Sequence, residues 1–454
     1  MRVFMLGWEF PPFISGGLGT ACYGLTKAMS GIGTDIVFVI PRPVSNPFST
    51  HVRLVSPQPG GGAAQPVNEF RLDEFENVSF RPIDAQISPY NTPANYDVEQ
   101  ARRERESAAG GTVAPSSEHG TDTARQHAHH STQSAHNPLQ TNAHYAGNLF
   151  EEVARYANMA ADMARREQFD VIHAHDWMTY PAGLAVAGLS GKPLVVHVHS
   201  TEFDRAGAGL DQRIYDIERR GMHAAIKVIA VSALTKSIIT RHYGIDPAKV
   251  EVVYNAIETN GNGLGYDERY NIHKDEKIVL FLGRITMQKG PEYFLAAAKK
   301  VLEVMDNVKF VMAGSGDLIR KTIELAAAMG IGHKVLFTGF LRGADVDRVF
   351  KMADLYVMPS VSEPFGIAPL EAMSHDVPVI ISKQSGVSEV IQNALKVDFW
   401  DVDEMANKII AVLRHPPLSQ TLRQHGSFEI RRMSWADAAR SCVEVYQQAV
   451  EMMK

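Results

Sequence analysis

LYVMPSVSEPFGIAPLEAM (Leu355–Met373) changes character twice over its length. LYVMPS is short, apolar and aromatic, the composition of a buried strand. Pro364 and Gly366 suit a sharp turn. Pro369 suits the first turn of a helix, where its missing N–H costs nothing. The segment is therefore predicted to run strand, loop, helix N-terminus, the unit from which doubly wound parallel sheets are built. Two carboxylates, Glu363 and Glu371, flank the break. Free N–H groups at a helix start attract an anion, most readily where a glycine lets the ligand approach the backbone. The carboxylates then serve better as acceptors for hydroxyl groups on either side of that anion. A ligand with phosphate in the middle and hydroxyls at both ends is a nucleotide sugar. The plainer alternative, a loop glutamate and a first-turn glutamate that are both solvated, stays open on this segment alone.

The same alternation extends outward in both directions. Strands are expected at VFML (3–6), IVFVI (36–40), VIHAH (171–175), LVVHVH (194–199) and KVIAVS (227–232), and again at KIVLFLG, VKFVMAG, KVLFTG, LYVMPS and PVIIS in the second half. LFEEVARYANMAADMARRE, PEYFLAAAKKVLEVM and EMANKIIAVLRH supply amphipathic helices between them. Buried strands alternating with helices imply parallel sheets, here two Rossmann-like series joined near VVYNAIE (252–258). The stretch from about Ser56 to Ala146 departs from this pattern, being rich in Pro, Gly, Ser, Thr, Gln and His. Most of it is read as an insertion unable to bury enough apolar surface to offset the entropy of ordering, centred on about 100–142. Its histidines, His119, His127, His129, His130, His136 and His144, are read as part of a polar tract rather than as ligands. ISPYNTP (87–93), less polar, is read as a segment able to dock on the surface.

The chain of 454 residues has room for two or three domains. A formal net charge of -6 gives no reason to expect nucleic acid as the main partner. The two cysteines, Cys22 and Cys442, form no C-x-x-C pair, which argues against a disulfide framework and fits a reducing, cytoplasmic setting. MRVFMLGWEFPP breaks too early for a signal-peptide core, and no apolar run of membrane-spanning length follows. Peripheral membrane association stays open, and oligomeric state is not legible.

FLGRITMQKG (281–290) places Arg284 and Lys289 just past a strand's C-terminal end, the ligand edge of a parallel sheet. Two cations there suit a diphosphate, Arg by forked hydrogen bonding and Lys as a point charge. SGGLGT (15–20), with Gly17 and Gly19, resembles a phosphate-cradling loop without the dinucleotide-binding spacing; a plain turn is the alternative. HAHDW (173–177) and VHVHS (196–200) each close a strand, and alternation puts His173 with His175, and His197 with His199, on one face. With no Cys or carboxylate cluster in support, polar contacts to a sugar are expected from them rather than metal ligation. AGSG (313–316) and FTGFL (337–341) end two more strands, their glycines serving either a ligand or tight turns.

GRITMQKG together with SEPFGIAPLEAM resembles the E-x7-E retaining glycosyltransferases of the GT-B fold, family 4 in particular. SGGLG, HAHDW and the N-terminal half also resemble bacterial glycogen and starch synthases. The resemblance spans nearly the whole chain outside the insertion. It implies two facing Rossmann-like domains with the active site in the cleft: an acceptor-side domain over 1–255, a nucleotide-sugar domain over 256–430, and a helical segment over 431–454 returning to the first. It also implies hexosyl transfer from a nucleotide-diphosphate sugar of the UDP- or ADP-glucose type to an acceptor hydroxyl, with a glucan or other glycan among the candidate acceptors. Glu363 would meet the donor sugar's hydroxyls and Glu371 the ribose. Backbone at Phe365, Gly366 and Ile367 would hold the diphosphate or sugar, and that at Phe340 and Leu341 the base. Arg284 and Lys289 would stabilise the departing diphosphate in place of a metal ion, so no metal or other cofactor is expected. His199 would contact the transferred sugar, and Asp176 would lie near the acceptor. One departure matters. Glycogen synthases usually carry Lys-Thr before Gly-Gly, whereas Ile14-Ser15 stands here, which weakens the case for ADP-glucose and α-glucan elongation. A sugar-nucleotide epimerase of the same fold and a non-catalytic glycan- or nucleotide-binding module are the rival readings.

Overall fold

The computed structural model describes residues 1–10, 17–41, 77–83, 149–207, 209–258 and 276–454. The predicted insertion core (100–142), its histidines and residues 87–93 lie outside these. The chain divides into a large unit, Met1–Pro89 with Val153–Lys454, and a small one, Tyr90–Glu152, of which only the start of the helix Leu149–Ala164 is described.

Among the described residues the large unit contains two parallel sheets. The first has seven strands: β1 (Arg2–Leu6), β2 (Asp35–Pro41), β3 (Val78–Ile83), β4 (Val171–His175), β5 (Leu194–Val198), β6 (Lys227–Ala230) and β7 (Val250–Val252). The second has six: β8 (Lys277–Leu282), β9 (Val308–Ala313), β10 (Val335–Gly339), β11 (Leu355–Met358), β12 (Val379–Ser382) and β13 (Leu395–Val397). Their spatial orders are 3-2-1-4-5-6-7 and 10-9-8-11-12-13, so both are doubly wound. Among the described residues every strand pairing is parallel, as in Leu6 beside Val39 and Ala174, or Leu282 beside Ala313. In each order the direction of winding reverses once, between β1 and β4 and between β8 and β11. Ligand crevices open at such reversals, beyond the strands' C-terminal ends.

Burial explains why these segments are strands. All residues of β4, β5, β6, β11 and β12 are buried. They are mostly apolar, as expected of strands buried on both faces, with His173, His175, His197, Lys227 and Ser382 as buried polar exceptions. The helices Pro291–Leu302 and Val402–Arg414 close the second core, where Phe294, Leu295, Val301, Met405 and Ile409 meet Phe281, Phe310 and Val357. The last helix, Trp435–Glu451, crosses back to the first sheet and packs on the helix Gly17–Gly31. Gly24 makes that crossing close: a Cβ there would lie 2.3 Å from the Trp435 ring.

Three strands escape the sequence reading. β3 lies inside the stretch read as mostly insertion, yet it pairs with β2 from Ile36–Val78 to Pro41–Ile83. A six-residue edge strand in polar surroundings has too little hydrophobic signal to stand out. β7 and β13 span three residues each, too few for a periodicity to register. The proposed glycine loop also needs correction. Gly17 to Thr20 are already the first turn of the helix Gly17–Gly31, with Gly19 buried in it, so this half of SGGLGT is helix rather than open loop.

Candidate active site

After β8 the chain makes a short 3-10 turn, Met287–Lys289, and after β11 it makes the loop that carries Glu363. Gly290 brings the two together. Its φ is +64°, and a Cβ would sit 2.2 Å from the Pro359 carbonyl oxygen. Beside it the Val361 N–H donates to the Gln288 carbonyl at 2.9 Å. The Lys289 ammonium, fixed by this turn, donates to Glu363 Oε2, which also accepts from Ser360 Oγ at 3.1 Å. The Glu363 backbone is pinned in turn, its N–H to the Gln384 carbonyl at 3.0 Å and its carbonyl to the Gly386 N–H at 2.9 Å. Arg284 Nη2 donates to Gln288 Oε1 at 3.4 Å, which sets the second cation in the same turn. The sheet edge thus holds two cations and one buried carboxylate.

Gly366, at φ +98°, turns the chain under Glu363; a Cβ would lie 3.0 Å from Glu363 Cγ. The helix Ala368–Ser374 then starts with Pro369 in its first turn and carries Glu371. Burial, and next the charge of Asp347, push the Glu371 carboxyl up to about 7. The Tyr356 phenol is raised by burial and by the fields of both Glu363 and Glu371, which places it near the two carboxylates. Phe365 and Ile367 bury their side chains, so only their backbone can meet a ligand. Phe340 follows β10 with its ring 45% exposed and the Arg342 guanidinium 5.1 Å above it, while Leu341 is half-buried. The glycines of AGSG are set by packing: Cβ atoms at Gly314 and Gly316 would lie 1.9 Å and 2.3 Å from the carbonyl oxygens of Gly283 and Ile285.

On the first sheet, His175 ends β4 and His199 follows β5. The two imidazoles bond to one another, His175 Nδ1 to His199 Nε2, at 2.9 Å. Burial and the neighbouring His197 and His175 hold His199 well below the usual imidazole range, so it is neutral at pH 7. Asp176 takes up the left-handed conformation, φ +58°, and its Oδ1 accepts from the backbone N–H groups of His199 (2.7 Å) and Ser200 (3.4 Å). Its carboxylate is 5% exposed and turned onto this backbone; burial raises it to about 7. Asp176 thereby shapes the loop that presents His199.

The two sheet edges touch. Ser362 Oγ donates to Asp204 Oδ1 at 2.5 Å, one residue before Glu363. Ser232 Oγ donates to the Pro364 carbonyl at 2.6 Å. The Glu389 carboxylate accepts from the N–H groups of Ala233 (2.8 Å) and Leu234 (2.7 Å), capping a helix of the other half. The helix Glu202–Ala206 packs on the turn that holds Lys289. Lys289, Glu363 and Arg284 are therefore assembled on one edge, and the segment after β5 faces them.

Comparison with known proteins places the chain in a family. Residues 266–427 match the family model for glycosyl transferases group 1, and residues 114–260 that for glycosyltransferase family 4. An uncharacterized glycosyltransferase of Methanocaldococcus jannaschii is 36% identical over 318 residues, covering 65% of this chain and 81% of its own. The chain belongs to the GT-B glycosyltransferases. The glycogen synthase of Mycobacterium tuberculosis is 23% identical over 457 residues, covering 99% of this glycosyltransferase and 95% of the synthase. The catalytic domain of starch synthase IV from Arabidopsis thaliana, bound to ADP and acarbose, superposes with a TM-score of 0.67 at 16% identity over 99% of each chain. Among the described residues of the glycosyltransferase, no helix is long and apolar enough to cross a membrane.

Several residues that build the site were not singled out from the sequence. Ser360, Ser362, Ser232, Asp204 and Glu389 act through contacts between segments remote along the chain, as Ser362 does with Asp204. Gly290 had a local signal, a glycine directly after a basic turn, but its carbonyl neighbour comes from another strand. In this glycosyltransferase the cleft is thus knitted by small polar side chains whose partners no single-segment reading supplies.

Proposed function

We propose that the protein is a retaining hexosyltransferase, taking a hexosyl group from a nucleoside-diphosphate sugar of the UDP- or ADP-glucose type and passing it to a glycan hydroxyl. The observation that carries this reading is the Lys289–Glu363 pair beside Arg284 at the crevice of the second sheet. A cation and a carboxylate in contact suit a donor that is anionic at its phosphates and hydroxylated at its sugar. Lys289 and Arg284 face the diphosphate, Glu363 the sugar hydroxyls and Glu371 the ribose. Backbone at Phe365, Gly366 and Ile367 lies along the phosphates and sugar, and backbone at Phe340 and Leu341 along the base. Neutral His199 offers a hydrogen bond to the transferred sugar.

In the reaction the bond from the anomeric carbon to the diphosphate oxygen lengthens, and an oxocarbenium-like centre forms. The acceptor oxygen attacks from the face the diphosphate leaves. The acceptor's proton passes to an oxygen of the departing diphosphate, so no covalent enzyme intermediate is needed. The protein's work is positioning and electrostatic stabilisation of charge as it develops. The starch synthase neighbour's ADP and acarbose support a nucleotide diphosphate in the cleft and a glucan-like acceptor. The missing Lys-Thr at Ile14-Ser15 weighs against ADP-glucose as the donor.

A thermal-shift screen of UDP-, ADP- and GDP-sugars identifies the donor, since a ligand bound to the folded state raises its melting temperature by mass action. Turnover of that donor must then require a glycan acceptor and yield a product with retained anomeric configuration. Conversion of the sugar nucleotide without any acceptor would instead reveal an epimerase, and binding without conversion a non-catalytic module.

Two further results are expected. Turnover proceeds without added Mg2+ or Mn2+ and survives brief exposure to EDTA, because Arg284 and Lys289 supply the positive charge at the diphosphate; loss of activity restored by one of these ions would refute it. Glu371→Ala raises the donor KM with little change in kcat, because a ribose contact is equal in ground and transition states. In the wild type the same KM climbs as pH falls through about 7, where the Glu371 carboxylate takes up its proton. The folding linkage has the opposite sense: with its folded value raised, this carboxyl's contribution to stability is present at low pH and lost as pH rises through about 7. Steady-state kinetics of both proteins from pH 6 to 8 (roughly one unit either side of that titration) separate the two effects.

A further inference from the structure

The first sheet encloses an imidazole cluster that the transfer reaction does not use. His173 and His175 on β4 and His197 on β5 are at most 1% exposed. Their ring centroids lie 4.2 to 5.3 Å apart. His175 and His197 are neighbours in the sheet register, which is why two separate H-x-H strands deliver their rings to one face. The helix Trp435–Glu451 adjoins this face, its Tyr446 oxygen 2.5 Å from His173 Nδ1.

The nitrogens divide in a telling way. His173 Nδ1 is taken by Tyr446 and His175 Nδ1 by His199. The Nε2 atoms of His173 and His175, and both ring nitrogens of His197, are buried and find no partner among the described residues. Buried polar atoms are nearly always satisfied, so several orphaned nitrogens in one cluster ask for a ligand. One ring nitrogen tied to a polar neighbour with the other left free is also how metal-binding imidazoles are held. One ligand atom from each of the three side chains lies within 4.8 Å of the others. Bonds of about 2.0–2.1 Å to zinc would need the rings to draw in by roughly 1 Å.

We propose that His173, His175 and His197 bind one divalent transition-metal ion of the zinc class, as a structural centre on the face of the first sheet beside the helix Trp435–Glu451. An all-imidazole donor set favours such ions over Mg2+ or Ca2+, which prefer oxygen. The ion would tie β4 to β5 and fix the ring of His175, and through it that of His199. Enclosed at this depth, it does not reach the diphosphate, so turnover without added Mg2+ is expected with or without it. Cys22, His175 and His199 form a second candidate group that shares His175. The three-histidine group is preferred because each of its members carries an orphaned buried nitrogen, whereas Cys22 and His199 do not.

The test uses the full chain, stripped of metal and titrated with ZnCl2, with zinc content and melting temperature as readouts. The polar tract's histidines remain in every variant, so adventitious uptake there cancels. The wild type is expected to hold one equivalent more zinc than His197→Leu and to melt several degrees higher with zinc than without. His197→Leu loses the zinc response, yet without metal it melts no lower than the wild type, since leucine removes an unpartnered buried imidazole. Cys22→Ser retains the wild-type zinc response. Equal zinc uptake by wild type and His197→Leu, or loss of the response in Cys22→Ser, overturns the assignment. Should His197→Leu fail to fold, anomalous scattering at the zinc edge from zinc-soaked wild-type crystals decides: a peak among the three imidazoles supports the site, and its absence there overturns it.

Discussion

Lys289→Ala is expected to lower kcat by roughly 10²- to 10³-fold, the scale of losing one preorganised charge stabiliser, while the Kd for the nucleotide diphosphate changes only a few-fold. The asymmetry follows from where the ammonium sits. It contacts the Glu363 carboxylate in the unliganded protein, so part of its charge is already compensated when the donor arrives. Its full effect is felt when the diphosphate gains negative charge in leaving. Glu363→Ala should lower both kcat and donor affinity, because it releases the sugar hydroxyls and the ammonium together. The double variant should be less impaired than the sum of the two, as expected of groups in direct contact. Stopped-time product assays with calorimetric binding to UDP and ADP distinguish these outcomes. A Lys289→Ala protein that turned over at the wild-type rate would leave the pair with a purely structural role.

The strand–loop–helix at Leu355–Met373 was legible because every signal in it is local. Apolar residues in sequence mark β11, Pro364 and Gly366 mark the turn, and Pro369 marks the helix start. Arg284 and Lys289 were legible for the same reason, since the end of β8 locates them at the ligand edge. What was not legible depends on partners far along the chain. Nothing near Asp176 tells that its carboxylate accepts the N–H groups of residues 199 and 200 rather than facing the cleft. The H-x-H alternation predicted two histidine pairs, each on one face. That both pairs share the same face depends on β4 and β5 being neighbours in a particular register. The glycines of AGSG suit ligand or turn equally in sequence, and nothing local shows that the carbonyl of Gly283 is pressed against Gly314.

Contacts between the two sheet edges hold the loop of Glu363 from the opposite side. Gly386 allows the approach, since a Cβ there would meet the Pro364 carbonyl oxygen at 2.2 Å and Ser232 Cβ at 2.5 Å. Ser362 and Pro364, on either side of Glu363, are both held by the opposite half, through Asp204 and Ser232. The Glu363 carboxylate is thus positioned from the edges of both sheets at once.

Arg205→Leu is expected to destabilise the protein by about 3–5 kcal/mol, the cost of leaving buried carboxylates without their cation. Arg205 Nη2 contacts Glu218 Oε1 at 2.6 Å and Glu202 Oε2 at 3.2 Å, and its Nη1 donates to the Ser200 carbonyl at 3.1 Å. Glu218 is buried and takes further hydrogen bonds from the Glu202 N–H, at 3.1 Å, and the Tyr243 hydroxyl. Burial already raises the Glu218 carboxyl against the opposing pull of Arg205. Without the guanidinium that pull vanishes, and the carboxyl moves further up. A carboxyl raised in the folded state contributes stability that is present at low pH and lost as pH rises through its folded value. The deficit of Arg205→Leu relative to wild type should therefore be larger at pH 8 than at pH 5 (about three units apart, enough to span a raised carboxyl). Denaturant melts at the two pH values measure it. A deficit equal at both would mean that lost packing, not an unpaired carboxylate, governs the effect. Activity should also suffer well below the melting temperature, because the helix Glu202–Ala206 carries Asp204 to Ser362 and packs on the turn of Lys289. Loosening that helix releases the Glu363 loop from one side, so kcat is expected to fall even while the chain stays folded.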